Sequence, residues 1–269
     1  MSDIHFGCEN EAATEAALAD AWAYAPSLTV VTGDLTADGR PSEFVAARAW
    51  LDRLPPPVLV TPGNHDTPYW NLILRVLTPF DRYRRHIGAP DGAVFESVGL
   101  SVHAVNTARG GQPRLNWAEG AINLAAVDAA AARLAAADGA LKVFACHHPL
   151  IEIEGEPVRG GVHRGEAAAR ALAEARVDLI LTGHLHVPYA RALPFGAGCT
   201  YAVGTGTLSL RTRGVPALYS TIEATDESLC VTAMAWAGSH FEPYRTWAFA
   251  RARSAGETAV PSGFSHGQA

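Results

Sequence analysis

The sequence predicts an α/β (α+β) fold built in layers, with largely parallel strands in its first part. Helical patterns alternate with short β-branched runs up to about residue 186, the pattern of βα units. Four of the apolar runs end in short polar clusters and a fifth such cluster opens the sequence, so that a strand repeatedly delivers a polar group to its end. Beyond His186 the character changes to apolar runs divided by Gly, Pro and Asp, which read as antiparallel strands.

Residues 10–24 have a helical pattern. Thr29-Val30-Val31-Thr32 is a short strand leading to Asp34, and Pro41 suits the first position of the next helix. Phe44, Ala47, Leu51 and Leu54 then form one apolar stripe of that helix. Residues 57–61 are the strand before Asn64, and 69–87 read as helical with a break at Pro79. Val94-Phe95 and residues 100–105 form a hairpin about Gly99. In the Ala-rich stretch 121–137, Leu124, Val127, Ala131 and Leu134 share a helix face. Residues 141–145 are a strand ending at His147, 164–176 a helix, and 178–182 the strand before Gly183. The runs at 188–193, 199–204, 217–223 and 228–236 are the antiparallel part. The expected organisation is one domain over 1–250, followed by a loosely held Gly, Ser and Ala-rich tail at 251–269.

The chain has 269 residues, of which 48% are hydrophobic, enough for a substantial core. Its net charge of -6 argues against a surface that neutralises many nucleic-acid phosphates, so small molecules are the expected partners. No apolar run approaches the ~20 residues that span a bilayer. Cys8, Cys146, Cys199 and Cys230 show no CxxC spacing, which fits a reduced, cytoplasmic setting. Cys8 and Cys146 lie near the polar clusters; burial as small hydrophobes is favoured over metal ligation.

The clusters are Asp3-Ile4-His5, Gly33-Asp34, Gly63-Asn64-His65-Asp66, His147-His148-Pro149 and Gly183-His184-Leu185-His186. In an extended chain residues i and i+2 point the same way, so Asp3 with His5, and His184 with His186, can each aim two ligand atoms at one point. Glycines before Asp34, Asn64 and His184 fit a chain that turns sharply and brings its backbone close to an ion. Carboxylate, amide and imidazole groups in these positions suit two adjacent metal ions.

The order DxH, GD, GNHD, HHP, GHxH resembles the calcineurin-like metallophosphoesterase superfamily, over about two thirds of the chain. The resemblance implies a four-layer αββα sandwich of two mixed sheets flanked by helices. It implies Asp3, His5 and His186 on one metal, Asn64, His147 and His184 on the other, and Asp34 bridging. Such nitrogen and oxygen donors suit Mn, Fe, Zn, Co or Ni ions. It further implies hydrolysis of phosphate esters by in-line attack of a bridging hydroxide, with Asp34, Asn64 and His65 central to catalysis. His65 would lie beside the phosphate and stabilise the leaving oxygen, and Asp66 would orient neighbouring groups.

The segment Gly33–Arg40 lacks the DRG of protein Ser/Thr phosphatases, whose GNHE is here GNHD. Ala37 stands where purple acid phosphatases carry Tyr, and His65 where UDP-2,3-diacylglucosamine pyrophosphohydrolases carry Arg. What remains resembles the bacterial class III cyclic-nucleotide phosphodiesterases and the glycerophosphodiesterases. A small-molecule phosphodiesterase is therefore expected, with a 3′,5′-cyclic nucleotide such as cyclic AMP or a glycerophosphodiester as substrate. A broad phosphomonoesterase is the alternative, and a non-catalytic scaffold a remote one. Expected substrate-side residues are Arg109, Arg114, His163 and Tyr69, with His148 either substrate-side or packing; His163 otherwise reads as an ordinary polar residue, and Tyr69 and Trp70 are placed either to stack on a base or glycerol or to pack in the core. Arg82, Arg84 and Arg85 read as a solvated helix face, and His86, His103, His240 and His266 as ordinary polar residues. Only Met1 and Ser2 precede Asp3, where relatives have half a strand. The expectation is that the natural start lies upstream or that the first metal is held loosely.

Overall fold

A computed structural model describes residues 1–112, 116–153, 161–196 and 199–251. The expected tail, apart from Arg251, lies outside these. Strands β1 (Thr29–Val31) and β2 (Val58–Val60) pair in parallel. A six-stranded mixed sheet has the order β3 (Val94–Ser97), β4 (Leu100–Ala104), β5 (Leu141–Ala145), β6 (Leu179–Thr182), β8 (Tyr201–Gly204), β7 (Tyr189–Ala192). A three-stranded antiparallel sheet is formed by β9 (Leu218–Ala224), β10 (Ser228–Trp236) and β11 (Phe241–Ala250). The helices are α1 (Glu11–Tyr24), α2 (Pro41–Leu51), α3 (Leu72–Leu77), α4 (Asp81–His86), α5 (Leu124–Ala136) and α6 (Gly165–Glu174).

Local chemistry accounts for the helix starts. Asn10 caps α1 by accepting from the Ala13 N–H, Asn123 caps α5 by accepting from Ala125, and Pro41 occupies the first turn of α2. Phe44, Ala47, Leu51 and Leu54 are all buried, as their spacing requires. The break in the 69–87 segment falls at residues 78–80, between α3 and α4.

Three apolar clusters order the layers. Leu59, Val102, Val143, Leu179, Val203, Leu229 and Val231 lie between the six-stranded sheet and the layer of β1, β2 and β9 to β11. Val127, Leu134, Ala168 and Leu172 of α5 and α6 cover the far face of the six-stranded sheet. Ala13, Ala17, Phe44, Ala47 and Trp50 of α1 and α2 cover the other layer. The arrangement is helix, sheet, sheet, helix.

The N-terminal segment joins this second β layer. The Met1 amine donates to the Val30 carbonyl, Thr32 N–H to Met1, Asp3 N–H to Gly33 and Phe6 N–H to Leu35. Asp3 and His5 are thereby placed beside the ends of β1 and β2, whereas β4, β5, β6 and β8 end on the facing sheet. At the opposite end of the sandwich the layers part around a cavity of about 710 Å³ between residues such as Leu28, Val30, Leu141, Leu179 and Ile222.

Three expectations are corrected. Strand β8 is antiparallel to β7 but parallel to β6, because the β7–β8 hairpin inserts β8 between β6 and the edge strand β7. Residues 121–123 are not helical; Ala121 instead forms a parallel bridge to His163. The ten-residue β11 was not anticipated, because it is an edge strand with mostly exposed side chains and an internal Pro243, accommodated by a bulge at Ala233/Met234.

Candidate metal centre

Every cluster lies at the C-terminal end of a parallel strand or beside one, where open α/β sheets place their ligands. Asp34 follows β1, Asn64 opens a single 3-10 turn (Asn64–Asp66) after β2, His147 follows β5, and His184 and His186 follow β6. The backbone differs from an extended chain at five of these positions. Asp3, His5, Asp34, His184 and His186 have φ of 53°, 51°, 51°, 69° and 59°. Each steps into the left-handed region, which costs a non-glycine residue ~1–2 kcal/mol. Alternation along an extended strand therefore does not explain the convergence; left-handed steps turn the side chains inward.

Close approach accounts for the glycines. A Cβ on Gly63 would lie 2.1 Å from Asp34 Oδ1, and one on Gly183 2.4 Å from Asp3 Oδ2.

The structure brings together Asp3, His5, Asp34, Asn64, His147, His184 and His186, all buried. His186 Nε2 lies 3.1 Å from Asp3 Oδ1 and 3.3 Å from His5 Nε2. His147 Nε2 lies 3.1 Å from Asn64 Oδ1. Asp34 stands between the two groups, its Oδ2 3.8 Å from His5 Nε2 and 3.4 Å from His147 Nε2. His147, His148 and His184 form a further potential ligand group, and the His184 N–H donates to Asp3 Oδ2 at 2.9 Å.

The donor set fits cations. The Nδ1–H groups of His5, His147 and His186 donate to the carbonyls of Thr36, Thr32 and Arg211 at 3.2, 2.7 and 2.6 Å. Those bonds hold Nδ1 of each ring and direct its Nε2 into the centre, the arrangement common to ligating histidines. Acceptor then faces acceptor, and Asp3 Oδ1 is buried without a hydrogen-bond partner. A metal ion between such groups resolves the repulsion.

Protonation states follow the same logic. Burial alone would raise Asp3 and Asp34, but neighbouring histidines, His186 for Asp3 and His147 for Asp34, hold both carboxyls well below the usual range. Burial lowers His5 and His184 to about 3, against the pull of Asp34. Burial also works to lower His147, yet Asp34 raises it to about 9. A metal at this nitrogen would displace a proton.

His65 Nδ1 donates to the Ala37 carbonyl at 2.6 Å, and the ring stacks on Tyr69 with centroids 5.8 Å apart. Asp66 accepts from the Thr36 and Gly63 N–H groups at 3.0 and 2.9 Å and so braces the loop. A cleft of about 610 Å³ opens over Asp34, Asn64, His65, His184 and His186. Tyr69 and the exposed Trp70 line it and are not core residues.

Other expected substrate-side residues lie elsewhere. His148 is fully buried, with Nε2 donating to Ala118 and Nδ1 accepting from Thr107, which leaves neither nitrogen for a substrate. Arg109 donates to the Asn106 and Ala108 carbonyls of its own loop and does not line the cleft. His163 is exposed and its backbone pairs with Gly120 and Ile122. Arg114 lies outside the described residues. Arg82 donates to the Gly39 carbonyl and Arg84 pairs with Asp81. Cys146 is buried, its thiol donating to the His148 carbonyl, and neither it nor Cys8 joins a potential ligand group among the described residues.

The sequence reading missed Arg75, Trp117, Arg211 and Arg213, all on the cleft wall. The available signal was the Arg-Thr-Arg triplet at 211–213, two cations at i and i+2 in a loop following a strand end.

Residues 1–188 match the family model of calcineurin-like phosphoesterases. A probable cyclic nucleotide phosphodiesterase of Synechococcus is 27% identical over 178 residues, covering 65% of this chain. The match spans 64% of that relative's length. A dimetal phosphatase from Danio rerio superposes with a TM-score of 0.65 at 11% identity, covering 90% of this chain and 89% of that one. GAP50, the anchor in the inner membrane complex of Plasmodium, does so with 0.62 at 12% identity, covering 95% and 88%. At such identities these structures speak for the fold alone, which is the one described above. With motif order, fold and family match in agreement, the chain belongs to the calcineurin-like phosphoesterase family.

Proposed function

We propose that the protein is a metal-dependent phosphoesterase that hydrolyses small-molecule phosphodiesters, with 3′,5′-cyclic nucleotides or glycerophosphodiesters as the substrate class. The observation that carries this reading is the position of the Asp34 carboxylate between His5 and His147, one member of each ligand set. Asp3, His5 and His186 would hold one ion, Asn64, His147 and His184 the other, with Asp34 shared. The mixed nitrogen and oxygen donors suit Mn, Fe, Zn, Co or Ni. A bound pair of such ions supplies an activated water at neutral pH and neutralises the non-bridging phosphate oxygens.

The protein's own groups supply orientation and the proton. With Nδ1 committed to Ala37, His65 presents Nε2 to the cleft. In its imidazolium form it donates to the oxygen of the departing alcohol as the P–O bond breaks. Asp66 and Thr36 hold the loop that carries it; the Thr36 hydroxyl donates to the His65 carbonyl at 2.9 Å. Tyr69 and Trp70 offer an apolar wall on which a base or glycerol unit can lie.

A phosphomonoesterase is the second reading, favoured by Arg211 and Arg213 on the cleft wall, which would accept a dianion. Stripping the protein with chelator, restoring Mn²⁺ and comparing bis(p-nitrophenyl) phosphate with p-nitrophenyl phosphate separates the two. A preference for the diester of tenfold or more in kcat/KM, about 1.4 kcal/mol, is expected. A preference for the monoester overturns the phosphodiesterase reading.

A further inference from the structure

We infer that Arg211 and Arg213 form an anion subsite beside the metal centre, which takes a second phosphate carried by the phosphodiester substrate. This rests on the phosphodiesterase reading and narrows its substrate class to the cyclic nucleotides and glycerophosphodiesters that carry a further phosphate.

The loop after β8 is built to hold both side chains at the centre. Thr207 Oγ1 donates to the Asp3 carbonyl and accepts from the Ser209 N–H, and Ser209 Oγ accepts from the Arg211 N–H at 3.1 Å. The Arg211 carbonyl in turn receives the Nδ1–H of His186, so the residue that presents the cation also braces a candidate ligand. Arg211 Nη1 lies 3.3 Å from both ring nitrogens of His65 and 3.5 Å from His5 Nδ1. His5 Nδ1 already donates to Thr36 and His65 Nδ1 to Ala37, so the neutral His65 Nε2 is the acceptor left to the guanidinium there, and no carboxylate or carbonyl among the described residues binds it. Arg213, two residues on and partly buried, lines the same cleft and makes no hydrogen bond or ion pair among the described residues. Two guanidiniums without an ion pair among the described residues, Arg213 within electrostatic reach of Asp3, are in a protein of net charge -6 a local concentration of positive charge facing the site.

Charge balance indicates what they face. Two divalent ions held by Asp3 and Asp34 would leave two positive charges, which a singly charged diester and an activated water would offset. Arg75, which donates to the Gly110 and Trp117 carbonyls, lines the same cleft. Arg211 and Arg213 add two positive charges to the cleft wall, which a dianionic terminal phosphate would neutralise. Guanidiniums suit that partner, because their planar N–H fork binds phosphate oxygens in pairs. A cleft of about 610 Å³ is the size of a site for a whole nucleotide-sized ligand and not for a lone phosphoryl group.

A matched pair of substrates tests this: the p-nitrophenyl ester of thymidine 5′-phosphate with and without a 3′-phosphate, assayed with the Mn²⁺-loaded full chain. The wild type should favour the 3′-phosphorylated ester by tenfold or more in kcat/KM, and in the R211A/R213A double variant the ratio should fall to near one. Binding gives a second readout, independent of turnover. Calorimetry should show thymidine 3′,5′-bisphosphate binding at least tenfold tighter than thymidine 5′-phosphate, a margin that collapses in the double variant at unchanged metal content. Equal kcat/KM for the two esters in the wild type overturns the inference, as does equal affinity for the two nucleotides. So does a double variant that slows both esters by one common factor, which would assign the arginines to the scissile phosphate. If neither ester turns over while the arginine-dependent binding margin is present, the subsite stands and the phosphodiesterase reading fails.

Discussion

Replacing Gly63 by alanine should disable the metal centre while leaving the sandwich folded. The added methyl carbon would lie 2.1 Å from Asp34 Oδ1 and 2.4 Å from Asp34 N, against 3.4 Å for an ordinary contact. The obstructing atoms belong to a buried loop, so the carboxylate must retreat by about 1 Å, a displacement that can lower turnover ~100-fold even far from the chemistry. Here it would break the bond from the His65 N–H to Asp34 Oδ1, now 2.8 Å, and shift Oδ2 away from His5 and His147 together. Overpacking of this kind costs about 1–3 kcal/mol, or roughly 2–12 °C in Tm for a chain of this size. Metal content by mass spectrometry should fall from two ions toward none, with kcat/KM reduced at least 100-fold and far-UV dichroism unchanged. Gly161→Ala is the control, since among the described residues a Cβ there meets nothing nearer than Glu152 Cγ at 3.8 Å. A Gly63→Ala protein with two ions and wild-type turnover would refute the argument that Asp34 and Gly63 are in obligatory contact.

Asp34→Asn should lower the affinity for both ions, whereas His5→Ala should release one, and metal titration of each variant distinguishes the two outcomes. His65→Ala should retain both ions and lose ~100- to 10,000-fold in kcat, the usual range for a proton donor; loss of metal in that variant would contradict its assigned role. In chelator, stability should fall as pH drops below ~6.5, because burial, with His184 and His147 beside it, holds His148 well below its ordinary value. The unfolded chain then takes up a proton that the folded one refuses, so stability is full above the unfolded pKa and is lost on acidification by ~1.4 kcal/mol per pH unit. Urea unfolding of His148→Gln between pH 5 and 6 should show a slope smaller by about one proton, and an unchanged slope would mean that the buried ring is charged.

The legible parts of the sequence were those in which one local pattern decides both structure and chemistry. Thr29–Thr32 and Leu141–Ala145 are β-branched or apolar runs that end at Asp34 and His147, and strand and site were found together. The left-handed backbone at Asp3, His5, His184 and His186 was not legible, because an i, i+2 spacing is equally consistent with an extended chain. Strand β11 escaped because Pro243, exposed charged residues and a bulge that leaves Tyr244 unpaired opposite Ala233 and Met234 hide the pattern of an edge strand. Arg109 and His163 were named from lying in loops, a criterion that does not say where a side chain points. Arg211 and Arg213 were overlooked for the complementary reason: their loop carries no metal-ligand motif, and only the fold brings it over the cleft.

On the proposed assignment, neither ion draws its ligands from one β layer alone. The first joins Asp3 and His5, hydrogen-bonded beside β1, to His186 after β6; the second joins Asn64 after β2 to His147 and His184. Loaded metal thus rivets the two sheets along one rim, while the far rim is parted around its cavity. Breathing of the sandwich must then pivot about the riveted edge, and removing the ions frees the sheets to slide as well as to hinge. Chelation should accordingly speed hydrogen exchange at the paired residues of β1 and β2, well outside the coordination sphere.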